Sequence, residues 1–60
     1  MNQPELIQEI ENVKKILTDA QKAVEDGDYK ESVELVFASK MFLHPIGNKV
    51  QELHDQQKIS

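Results

Sequence analysis

The chain has no cysteine, no arginine and no tryptophan, only two glycines and two prolines, and no long apolar run. The missing cysteine excludes disulfide staples, thiolate metal sites and cysteine nucleophiles. The missing arginine removes the side chain most used for bidentate contacts to phosphate and guanine. Seven lysines stand against eleven acids, for a net charge of −4. That balance makes a poor ligand for nucleic acid, whose affinity comes mostly from phosphate neutralisation, and for anionic membranes. Nothing approaches the ~20 apolar residues of a membrane span. The opening Met1-Asn2-Gln3-Pro4-Glu5 does not read as a signal peptide, so a cytoplasmic location is expected. No glycine-rich phosphate loop is present, and no cofactor is expected.

Leu6, Ile10, Val13, Leu17, Ala20 and Val24 repeat at alternating spacings of four and three. This is the pattern of one helix laying a seam against another. Ile7, Ile16 and Ala23 widen it to the breadth of a bundle helix. The first helix is predicted from about Pro4 to Glu25, with Asn2 as its cap and Glu5 three residues on. Asp26-Gly27-Asp28 ends it. Gly27 suits the left-handed conformation that closes many helices, and Asp28 caps the next, with Glu31 three residues later. So short a link dictates an antiparallel hairpin.

The second helix is predicted over about 29–43. From Val33 onward it is apolar around most of its circumference, which a single partner helix cannot cover. Val33 to Phe37 is also rich in strand-forming residues, so a short strand is an alternative there. His44-Pro45 then breaks the chain, because the residue before a proline is pushed out of helical geometry. A short third helix is expected over about 45–57, with Ile46, Val50 and Leu53 as a thin stripe; a start at Asn48 as cap is the alternative. Gly47 weakens it by about 1 kcal/mol relative to alanine.

Residues Ala20 to Pro45 resemble one tetratricopeptide-type hairpin, and equally the hairpins of microtubule-interacting-and-transport domains. Ala20, the Gly27-Asp28-Tyr29 turn and the proline after the second helix carry the likeness. Ser32 stands where the first family prefers alanine. The resemblance implies an antiparallel hairpin with Tyr29 packed between its helices. A lesser similarity links Gln51-Glu52-Leu53, after the His44-Pro45 turn, to the Spo0E-like aspartyl-phosphate phosphatases. Val50 and His54 occupy the positions of that family's serine and final aspartate.

The polar candidates read mostly as ordinary surface. His44 and His54 lie ten apart, not at the i, i+4 spacing of paired ligands, and Asp55 adds at most a surface contact. Asp26 and Asp28 supply two of the roughly five ligands a calcium loop requires, and capping explains both. Glu9, Glu11, Glu25 and Asp26 form an acidic surface; residues 1–34 hold nine acids and four lysines. Ser32, Ser39 and Ser60 have no base beside them in the sequence.

The stronger lead is apolar. Leu35, Phe37, Met41, Phe42 and Leu43 are a surplus on so small a chain, and such a surplus marks an interface. Sixty residues make one small domain that buries only ~60% of its unfolded surface. Without disulfides or metal, a partner chain is the remaining support. The expectation is therefore an all-α single domain over 1–60: a hairpin with a third helix, dimerising into a helical bundle. Its core would hold Leu6, Ile10, Val13, Leu17, Ala20, Val24, Tyr29, Val33, Val36, Phe37 and Val50. The expected function is non-enzymatic protein binding, as an adaptor, inhibitor or chaperone-like regulator, through Leu35, Phe37, Met41, Phe42 and Leu43. A purely structural homo-oligomerisation domain and a Spo0E-like regulator are the alternatives.

Overall fold

The structure, a computed structural model, describes the backbone of residues 3–59 and the side chains of residues 3–57. It contains two helices, α1 (Gln3–Glu25) and α2 (Tyr29–Ile59), packed against each other as an antiparallel hairpin. The expected cap Asn2 lies outside the described residues, as does Ser60. Pro4 falls in the first turn of α1, where a missing N–H costs little, and Glu5 and Lys22 sit at the ends that suit their charges.

The turn is built as the sequence suggests. Gly27 adopts a φ of 78°, which a side chain would strain. Its N–H donates to the Val24 carbonyl at 3.0 Å, and the Asp28 N–H to the Ala23 carbonyl at 2.8 Å. These two bonds make a Schellman closure of α1. The Asp28 carboxylate then accepts from the Glu31 N–H at 3.2 Å and caps α2. Because the Asp28 N–H is already committed to Ala23, the reciprocal half of a capping box has no donor to reach.

The seam follows strict four-and-three spacing on both helices. On α1 it comprises Leu6, Glu9, Val13, Ile16, Ala20 and Ala23, all buried or half-buried. On α2 it comprises Ser32, Leu35, Ser39, Ile46, Lys49 and Leu53, with Phe42 in register but 54% exposed. Small residues fill the turn end. The Ser32 hydroxyl donates across to the Ala20 carbonyl at 3.1 Å, and Ser39, 2% exposed, donates to its own Leu35 carbonyl at 3.0 Å. At the open end Leu6, Val13 and Ile46 cluster, with Leu53 packed on them. Within that same open-end stretch, between Leu6 and Val13 on α1 and Ile46 and Leu53 on α2, the Lys49 ammonium grips both oxygens of Glu9, at 2.9 and 3.1 Å.

Three expectations are corrected. First, no break occurs at His44-Pro45. One helix of 31 residues runs through Pro45, and residues 45–57 extend α2 rather than forming a third helix. Pro45 cannot donate to the Met41 carbonyl, a local cost of about 3 kcal/mol. Contacts beyond it oppose that cost: buried Ile46, the Lys49–Glu9 pair and Leu53 all require α2 to continue along α1. Val33 to Phe37 is helical as well.

Second, the α1 seam is set one residue earlier at alternate positions. Glu9, Ile16 and Ala23 face α2, while Ile10, Leu17 and Val24 remain exposed. Two overlapping heptad patterns share Leu6, Val13 and Ala20, and one partner helix buries only one of them. Of the expected core, Leu6, Val13 and Ala20 are buried; Ile10, Leu17, Val24, Tyr29, Val33, Val36, Phe37 and Val50 are exposed in the single chain.

Third, Tyr29 is 65% exposed and does not pack between the helices. Ser32 and Ala20 already bring the backbones together there, leaving no room for a ring. The resulting molecule measures 49 × 17 × 13 Å, two helices wide and about one helix thick.

Candidate interaction surfaces

Each residue that follows a seam residue is turned by about 100° from it. Because the two helices run oppositely, that turn brings both following sets to the same side of the hairpin. On α1 the set is Ile7, Ile10, Lys14, Leu17, Gln21 and Val24. On α2 it is Val33, Val36, Lys40, Leu43, Gly47, Val50 and His54. The eight aliphatic members are each between 39% and 52% exposed. Tyr29 lies at the turn end of the same side. Lys14 and Lys40 are the only charged residues in the two sets, and neither set holds an acid. A groove of about 410 Å³ opens on this side between Ile7, Ile10 and Leu53.

The opposite side is different. Glu9, Asn12 and Ile16 of α1 meet Phe42 and Pro45 of α2 around a groove of about 270 Å³. Glu5, Lys15, Asp19 and Lys22 on α1, and Glu31, Glu34 and Glu52 on α2, lie toward this side by helical position, five acids against two lysines. Met41, 77% exposed, flanks it, and Phe37, 60% exposed, points away from α1 at the outer edge.

The five candidate interface residues therefore do not form one patch. Leu35 turns into the seam and is half-buried. Leu43 belongs to the acid-free side, Phe42 to the opposite groove, and Phe37 and Met41 to the outer edge between. The three consecutive residues Met41, Phe42 and Leu43 necessarily splay around a helix with 3.6 residues per turn. The residues that sequence reading passed over are those that share a side through heptad register: Val36, Gly47 and Val50 with Leu43, and Pro45 with Phe42 and Ile16. The signal for the first group was the unbroken four-and-three spacing from Tyr29 to His54.

The polar candidates have local partners or solvent. Glu11 accepts from Lys14 at 3.1 Å, both exposed, and Glu25 from Gln21 at 3.3 Å. Asp55 accepts from Gln51 at 3.0 Å, and His44, His54 and Glu52 are exposed. Asp28 caps α2, and the hydroxyls of Ser32 and Ser39 are spent on carbonyls. Among the described residues no three His, Asp or Glu side chains converge as a metal site, and no helix is long and apolar enough to cross a membrane. No protein-family model, curated protein or solved structure matches the chain.

Proposed function

We propose that this chain is a small, non-enzymatic protein-binding module, an adaptor or regulator that acts by docking rather than by chemistry. The observation that carries this reading is the cluster on α2 between Phe37 and Pro45. Phe37, Met41 and Phe42 leave 60%, 77% and 54% of their surface in water. Large side chains of these types are adaptable, energetically dominant contacts at interfaces. Phe42 and Pro45 also form one wall of a groove whose other wall is Asn12 and Ile16. That groove gives an incoming apolar side chain a place to be enclosed, which a flat exposed ring does not.

The excess of acids over lysines on this side, five against two, favours a partner segment with basic residues flanking an apolar anchor. The test compares the wild-type chain with Phe42→Asp and with Leu43→Asp as immobilised baits for proteins of the source cell. Phe42→Asp should lose the specific partner, and helix content should be unchanged because the ring is more than half exposed. A partner retained by Phe42→Asp would sink the reading. A second reading, homo-oligomerisation, is favoured by the other side of the hairpin.

A further inference from the structure

The acid-free side of the hairpin has what a second copy of this chain needs. Resting on the reading of the chain as an interaction module, we propose that two hairpins pack through this side into a four-helix bundle. Leu17 and Ile10 of α1 and Val36, Leu43 and Val50 of α2 would become its core. The Phe42 groove would be left facing outward on both copies.

Three observations converge on that occupant. The first is area. A compact monomer of 6.9 kDa is expected to expose about 4000 Å², whereas this chain exposes 4913 Å². The surplus of about 900 Å² matches the roughly 800 Å² that each partner gives up in a stable interface. The side itself, 49 by 17 Å, offers about 800 Å².

The second is charge. The opposite side carries five acids and two lysines, so docking two copies through it would enclose many more charges and set two net-negative surfaces against each other. The proposed side brings aliphatic residues together, with Lys14 and Lys40 able to reach outward along their stems.

The third is Gly47. It lies between Leu43 and Val50 in the helix interior, where glycine costs stability. A Cβ built on it would meet nothing within 4 Å. The hairpin alone gives no reason for a glycine there. A second helix approaching closely does, because a missing side chain leaves a hole for a partner's side chain.

The experiment is absolute mass by light scattering on a sizing column, at concentrations on the order of 10 µM and above, with helix content measured in parallel. Wild type should elute at about twice 6.9 kDa. Leu43→Asp should weaken self-association by at least about a hundredfold, since the substitution enters the interface twice. Gly47→Glu should do the same although it favours the helix, so loss of the dimer cannot be put down to failed folding. Phe42→Asp should leave the dimer intact. A monomeric wild type overturns the proposal while leaving the Phe42 groove as a docking site. A dimer that splits with Phe42→Asp but survives Leu43→Asp also overturns it, by placing the second copy on the other side.

Discussion

Replacing Pro45 by alanine tests the central feature of the fold, a single helix running from Tyr29 to Ile59. In a helix interior proline is about 3 kcal/mol worse than alanine. The substitution restores a donor for the Met41 carbonyl and removes the ring's clash with the preceding turn. Against this, the freer unfolded chain of the alanine variant returns about 0.4–1 kcal/mol. Pro45 is exposed, so little packing is lost with it. The net expectation is a gain of about 2 kcal/mol. For a domain of this size each kcal/mol moves Tm by about 4–8 °C, so Tm should rise by roughly 8–16 °C. Far-ultraviolet circular dichroism melts read it, at matched protein concentrations because a dimer's Tm depends on concentration. An unchanged or lowered Tm would contradict a continuous helix through Pro45. It would mean that Pro45 opens a separate helix, where its fixed φ is an advantage and its missing N–H costs nothing.

Two further perturbations probe the seam. Ser39→Leu should destabilise the hairpin by about 1–3 kcal/mol, because a side chain 2% exposed between close helices has no room to grow. Ser39→Ala should stay within about 0.5 kcal/mol, since the hydroxyl bonds only its own helix; urea titration decides, and a more stable Ser39→Leu would show that the helices are not held close there. Lys49→Met leaves the Glu9 carboxylate half-buried without its partner and should cost about 1–2 kcal/mol, less than for a fully buried pair because both side chains keep about a third of their surface. Adding Glu9→Leu should recover the loss, and a double variant less stable than the single one would contradict the desolvation account.

Much of the architecture was legible in the chain itself. The four-and-three spacing from Leu6 to Val24 announced a helix that packs on a helix, and Asp26-Gly27-Asp28 announced the reversal. The reversal is a local signal: a left-handed residue and a capping carboxylate act on the nearest peptide groups whatever the remainder of the fold does. The surplus of apolar surface on the second helix was likewise readable as composition, because a helix apolar on several sides exceeds what one neighbour can cover.

Tertiary structure decided the matters in which two readings competed for the same residues. Leu6, Val13 and Ala20 belong to two overlapping seams, and pattern alone does not say whether Glu9 or Ile10 turns inward. Lys49, forty residues away in sequence, supplies the charge that lets Glu9 occupy the seam, and Ser32 against Ala20 supplies the close approach that excludes Tyr29. Pro45 reads as a helix stop by local propensity, and the contacts of Ile46, Lys49 and Leu53 override it. The sides on which Phe42 and Leu43 fall followed only once the seam was known, since adjacent residues on a helix diverge by about 100°. Local physics fixed where the chain bends and where it is capped; contacts between residues far apart in sequence fixed what faces inward, and so what remains exposed for a partner.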